Sequence, residues 1–403
     1  ISRPALTPAI SQAVTFTAAD AGRKISSSMT VNRAYRSVGC RVTDTVDTPA
    51  VTGCSTDSFS IRPSSISLST PALNNTGSSG DPKAMTGDSF TLEVSTVAGY
   101  DGTPVVVGSL ESHAGGSAGT LSGSFGAADI NTGTATGTGF AYSEVGNFRF
   151  STNAIHDTGF TSIDQTADCI DGSYSNTLSD GKVGCDFSNS EATSWIGRFI
   201  PEHFILSIDD HGVLADTCSG FSYSGTDIPF SSDPFITISA LNSSGAVTAN
   251  YKGDYAKLVI ADINMPALTG DGTTVGADGV TPVTLVWNSG MPSLTSNNNG
   301  TFSFALTGDT FTYGRGSNDM VAPFTSDVDL LVNAVTDSDG VAATGLPQIV
   351  SPTGVEVRFG RLNLLNAYGS ELQTLPMTMQ VEYYNGTGNG FVANTTDTCT
   401  VVN

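Results

Sequence analysis

Charge is what this sequence has least of. Asp, Glu, Lys and Arg make up 13% of its 403 residues, against roughly 25% in ordinary soluble domains. Helix surfaces draw on Glu, Lys and Arg, so their scarcity argues for strands and turns. Basic residues are the rarer part of that small set, 16 against 38 acidic, giving a formal charge of −22. Such a chain repels nucleic acid and anionic membrane surfaces, and neither is expected as a partner. No stretch approaches the ~18 consecutive apolar residues that cross a bilayer, so no membrane span is expected.

Side chains for catalysis are equally sparse. The two tryptophans, Trp195 and Trp287, form no evident sugar-stacking platform for a glycosidase, and they read as core or interface wedges. The four histidines, His113, His156, His203 and His211, are scattered. Only the last two are neighbours, and they flank a strand that would separate them. Gly115-Gly116-Ser117-Ala118-Gly119 fits the G-x-S-x-G pattern of a nucleophile elbow. No helix pattern follows it, and a chain this rich in Gly and Ser yields such a string by chance, so it reads as a loop. The expectation is a protein that is not an enzyme.

What is present is a regular alternation. Phe90, Leu92 and Val94 alternate with Thr91, Glu93 and Ser95, and Met377, Met379, Val381 and Tyr383 alternate with Thr378, Gln380 and Glu382. Val328, Leu330 and Val332 follow the same period of two, which buries one face of an antiparallel sheet. Between such runs lie Asp271-Gly272, Asp278-Gly279, Asp339-Gly340 and Asn385-Gly386, which supply the positive φ that hairpins need. Tyr142 to Phe150 has the look of a tyrosine corner, with an ordinary hairpin as the alternative. The fold class expected is all-β, a tandem of immunoglobulin-like β-sandwich domains.

Three joints punctuate the alternation. Arg62-Pro63, Arg198-Phe199-Ile200-Pro201 and Arg358-Phe359-Gly360 each lead from one strand-like run into the next. A residue of fixed or permissive backbone there suits a short hinge between β-modules. The arginines lie about one domain length apart. The domains expected are therefore 1–61, a partial β-domain; 62–199 and 200–356, two immunoglobulin-like sandwiches; and 357–403, a β-rich C-terminal module, either complete or part of a larger one. Gly99-Tyr100-Asp101-Gly102 and Asn250-Tyr251-Lys252-Gly253 fall mid-module and resemble each other, as an internal repeat would. The start at Ile1, without a leader, reads as a processed chain or a piece of a longer one, and the short first module favours the piece. If that module is an open sheet, its edge offers a route to self-association by strand addition.

The cysteines number six: Cys40, Cys54, Cys169, Cys185, Cys218 and Cys399. An even count without CxxC pairs suits disulfides in an oxidising compartment, with reduced cytosolic thiols as the rival reading. Short-range bridges Cys40–Cys54 and Cys169–Cys185 are the natural pairs, each worth ~3 kcal/mol by loop entropy, which leaves Cys218 for Cys399. Six cysteines still allow ~15 pairings in principle. Acidic turns are the remaining candidates for a ligand. Asp337-Ser338-Asp339-Gly340 resembles the first half of a calcium loop, but Val341, Ala342 and Ala343 stand where further ligands should follow. Asp209-Asp210-His211-Gly212, Asp271 and Asp278 offer carboxylates on turns. No cofactor is expected, with weak calcium binding at such turns as the alternative to simple solvation.

Several segments resemble one family. They are Arg198 to Phe204, Cys218 to Gly225, Asn250 to Gly253 with Ala256-Lys257-Leu258, Phe359 to Leu364, Asn366 to Leu372, Asp397 to Thr400, and Cys54 to Pro63. In that order they resemble the large C-terminal region of MshQ-like proteins, encoded with the mannose-sensitive haemagglutinin type IV pilus of Gram-negative bacteria. The resemblance implies a long, secreted or outer-surface, multi-domain protein linked to pili or adhesion. It implies no catalytic residue, and any lectin-like head of the family would lie upstream of this chain. The function expected is therefore that of an extracellular structural or adhesive protein of a bacterial cell-surface appendage. Its partners would be other surface or pilus subunits, or further copies of itself. The alternative is a carbohydrate-binding adhesin that grips a glycan, with or without calcium.

Overall fold

The computed structural model describes residues 5–6, 9–74, 77–107, 109–164, 168–265, 267–268 and 274–402. Among these residues the only helical elements are four 3-10 turns of three residues each, and everything else regular is strand. The chain is a multi-domain β-sandwich protein. Among the described residues no helix is long and apolar enough to cross a membrane. Asp271 lies outside the described residues.

Two compact units divide the chain. The first comprises 1–77, 88–143 and 147–198, and the second 78–87, 144–146 and 199–403, so the chain crosses between them several times, the last at Arg198-Phe199.

The same sheet is built once in each unit. In the first, an antiparallel sheet runs in the order Leu121–Ser122, Thr134–Tyr142, Ser89–Ser95, Ser67–Ser69. In the second, the order is Ser293–Ser296, Thr301–Ala305, Phe235–Leu241, His203–Asp210. The pairing of Leu68 with Val94 corresponds to that of Leu206 with Ile238. A third sheet, Gly360–Leu364, Met379–Tyr384 and Phe391–Ala393, begins the pattern again, with Leu364 opposite Met379.

Alternation along these strands explains the cores. Phe90, Leu92 and Val94 are buried while Ser89, Thr91 and Glu93 are exposed. The first unit fills its interior with rings: Phe148 packs against Phe90, Tyr142 and Phe150, and Tyr100 against Phe160 and Phe187. Tyr142 is buried, and its phenol oxygen accepts the Gly119 N–H at 3.0 Å, so the hydroxyl folds back onto backbone. In the second unit Phe204, Leu206, Ile236 and Ile238 from the repeated sheet meet Phe311, Tyr313, Leu330 and Val332 from the opposing strands. Burying a large apolar side chain is worth about 1.5–3 kcal/mol, so these interiors dominate the stability.

Two of the expected disulfides are formed, Cys169–Cys185 and Cys218–Cys399. The expected Cys40–Cys54 bridge is not, and both residues are exposed free thiols. The hairpin pairs Arg41 with Cys54 and Val42 with Gly53, while the Cys40 carbonyl accepts the Ser55 N–H at 2.8 Å. Cys40 thus stands opposite Ser55, one register step from Cys54. Side chains alternate along a strand, so that single step turns the two thiols to opposite faces of the hairpin.

Candidate functional site

At two of the three expected joints an arginine lies close to a disulfide. Arg62 follows the short strand Phe59–Ile61, and Pro63 beside it is buried. The Arg62 guanidinium donates through Nε to the Gly184 carbonyl at 2.7 Å and through Nη2 to the Ser175 carbonyl at 3.0 Å. Its Nη1 reaches the Asn176 Oδ1 at 2.9 Å and the Pro63 carbonyl at 2.8 Å. Three of those partners, Ser175, Asn176 and Gly184, lie in the Cys169–Cys185 loop, so one arginine and one disulfide hold the same irregular segment. Burial lowers the pKa of Arg62. The group nonetheless stays charged, because its ordinary value lies far above neutral pH.

Arg358 repeats the arrangement. It pairs with Glu356 at 2.6 Å and donates to the Asn394 Oδ1 and Thr396 Oγ1, each at 2.8 Å. Its guanidinium also lies 4.0 Å from the Phe221 ring centroid and 4.9 Å from that of Tyr383. The Cys218–Cys399 bridge closes the same neighbourhood, where the Tyr223 hydroxyl donates to the Asp397 Oδ2 at 2.5 Å. A planar, always-charged guanidinium suits this double task of hydrogen bonding and ring stacking, which lysine does not perform. Gly360 has no side chain for a reason: a Cβ there would stand 2.5 Å from the Tyr223 ring. Arg198 is buried at 2% exposure, and Pro201 is buried too.

Cys218, Cys399 and Asp397 bring three ligand-type atoms within 4.8 Å of one another. The two sulfurs are bonded to each other, which removes the thiolates a soft metal would need.

The acidic turns fold inward or onto their own backbone. Asp337 is buried, accepting the Tyr251 hydroxyl at 2.6 Å on Oδ2 and the Asp339 and Val341 N–H groups, each at 3.0 Å, on Oδ1. Burial raises its pKa, and the bonds from Tyr251, Val341 and Asp339 oppose that rise. Asp157 does the same in the first unit, accepting the Tyr100 hydroxyl at 2.6 Å and the Gly159 and Phe160 N–H groups. These two tyrosine–aspartate locks occupy equivalent places in the repeated modules. The paired Gly-Tyr-Asp-Gly and Asn-Tyr-Lys-Gly strings, each followed much later by Asp-Thr-Gly or Asp-Ser-Asp-Gly, are the sequence trace of them.

Other candidates have local tasks. Asp278 accepts the Val280 and Thr281 N–H groups, and its carboxyl is held below the ordinary value by the Thr281 hydroxyl first. Asp209 accepts the Thr237 hydroxyl, and Asp210 the Gly212 N–H. His211 accepts the Ser351 N–H, His113 the Asn147 N–H, His156 meets the Asn153 carbonyl, and His203 contacts Glu202. Trp195 is covered by the Arg149 guanidinium at 4.7 Å, and Trp287 donates to Asp309.

Residues 144–360, over half the chain, match the model of the third domain of DUF6701, and residues 358–403 match that of its fourth domain. No solved structure matches the chain.

Proposed function

The chain belongs to the DUF6701 family, and on that premise we propose that it is an extracellular structural or adhesive protein of a bacterial surface appendage, without catalysis. The observation that carries this reading is repetition. One sandwich plan is laid down twice and begun a third time, and two of the three starts are anchored by an arginine beside a disulfide. Repeated sandwiches of this kind suit a spacer or fibre subunit more than a catalyst. Two disulfides fit an oxidising location outside the cytoplasm, on the bacterial cell surface or secreted.

Within this reading the sandwiches span 62–199 and 200–356, with 357–403 opening the next module. The arginine segments 62–63, 198–201 and 358–360 are its joints. The finer resemblance to MshQ-like proteins of the mannose-sensitive haemagglutinin pilus supports pilus subunits, or other copies of this chain, as partners. No resident cofactor is part of the proposal. Electron microscopy and light scattering of the purified chain, alone and with isolated pili, test it. Fibres or pilus binding are expected, and a monomer that ignores pili at every concentration would overturn the reading.

A second reading, a carbohydrate-binding adhesin, is favoured by one specific observation, an open polar cavity in the first unit. A glycan array with and without a chelator separates the two readings and tests calcium at the same time.

A further inference from the structure

The Cys169–Cys185 segment has almost no regular structure, yet it is tied down repeatedly. Besides the disulfide and Arg62, the Gly184 N–H donates to the Ser175 carbonyl at 2.8 Å, the Asp186 N–H to the Ser173 carbonyl at 3.0 Å, and the Asn176 Nδ2 to the Ser64 carbonyl at 2.8 Å. These ties also fix one wall of an open cavity of about 490 Å³, within the usual range for small-molecule sites.

The opposite wall is held as well. Asn153 takes a left-handed backbone, φ +64°, which Asn adopts more readily than other non-glycine residues. Its Oδ1 accepts the Ser188 hydroxyl at 2.5 Å, and its N–H donates to the Asn189 carbonyl at 2.9 Å, so the side-chain amide has a set direction.

The chemistry of the lining is selective. Every lining residue is Ser, Thr, Asn, Gly or Tyr, and none is charged. Among the described residues the hydroxyls of Ser64, Thr152, Tyr174 and Ser190 and the Nδ2 of Asn153 make no hydrogen bond within the chain. Hydroxyls both donate and accept, so a set of them is matched by a ligand that is itself a set of hydroxyls. Tyr174 adds one half-buried ring, fixed against His156 at 5.6 Å between centroids, and an aromatic face is the natural partner of a sugar's C–H face. Absence of charge in the lining disfavours phosphate, carboxylate or metal. Scarcity of apolar side chains disfavours a lipid.

We propose that this cavity is a binding site for a neutral glycan, one or two sugar units of which lie between Tyr174 and Asn153. The proposal rests on the carbohydrate-binding reading and gives that reading an address. Neither calcium nor any residue of the second unit is required.

The test is a neutral-glycan array followed by calorimetric titration of the strongest hit, using the whole chain and two variants. Tyr174→Ala removes the ring, and Ser190→Arg places a bulky charge in the opening from an exposed position without touching the core. Circular dichroism and an intact Cys169–Cys185 bridge confirm that each variant is folded. The site predicts binding by the parent that survives a chelator, weakened about tenfold by Tyr174→Ala through loss of the aromatic stack and by at least as much by Ser190→Arg through obstruction of the opening. Should the parent bind a glycan and both folded variants bind equally well, this site is wrong while the carbohydrate reading stands. If the parent binds no neutral glycan at all, the reading falls and takes the site with it.

Discussion

A buried phenol that donates to a buried carboxylate leaves its partner unsatisfied when it is removed. Tyr251→Phe would strip Asp337 of its side-chain donor in a site with little water to replace it. The expected loss is ~1–3 kcal/mol, the cost of an unsatisfied buried polar group. Denaturant unfolding should show it in the second unit, and Tyr100→Phe should show the same in the first. An unchanged midpoint in both would mean the locks do not stabilise the modules. The sequence announced Asp337 only as half of a calcium loop. Its true partner is 86 residues away, and no local spacing encodes that.

The same chemistry sets a pH limit. The Tyr223 pKa is pushed up from 10.0 to about 12, by burial first and then by Asp397. A raised folded value means the neutral phenol is the form the fold favours. Its contribution is complete below the unfolded pKa of 10.0 and is lost as pH rises toward about 12. Burial and the neighbouring aspartates also raise the pKa values of Tyr100 and Tyr251. Alkaline unfolding with late phenolate absorbance is expected, and Tyr223→Phe should shift its onset upward. Tyrosines that titrate at their ordinary value with the fold intact would contradict this.

At the scale of single elements, alternation was the readable signal. Phe90, Leu92 and Val94 announce their strand, and that strand is buried on the announced face. Register was not readable. The Cys40–Cys54 bridge fails by one residue of pairing, a difference that spacing along the chain does not carry. Two free thiols should therefore react in protein unfolded without reductant, and replacing both by serine should leave stability unchanged. Opening Cys169–Cys185 should instead cost ~3 kcal/mol, by the loop-closure estimate. What the sequence does not carry is the set of contacts that the arginines of the expected joints make. Arg62 was marked for its neighbouring proline, whereas its structural weight lies in four hydrogen bonds, one to Pro63 beside it and three to residues 175–184 far along the chain. Gly360 is a sharper case: Gly360→Ala should cost ~1–3 kcal/mol, because the Tyr223 ring is packed and has to move. A variant of unaltered melting temperature would show that the ring yields freely.

Over the whole molecule, repetition exposes a difference between equivalent surfaces. Phe204, Leu206 and Ile238 are at most 7% exposed in the second sheet, whereas Leu362, Leu364 and Met379 in the third are 44%, 55% and 47% exposed. Leu364 stands opposite Met379, so these exposed side chains share one face, and an exposed apolar face is a candidate contact surface between copies of this chain. Opposing any contact between copies is the chain's own charge of −22, with a pI near 4.2. Repulsion of that size is long-ranged at low salt and fades once the screening length falls to ~10 Å near 0.1 M. Self-association should therefore strengthen with added salt and as the pH falls toward 4.2, the reverse of an ion-paired interface. Light scattering across salt and pH measures it. Leu364→Asp, which adds charge and removes apolar area on an exposed strand, should abolish the salt-promoted association while leaving the two units folded. Association that ignores this substitution would move the contact elsewhere, to the strand edge near the N-terminus that the sequence first suggested.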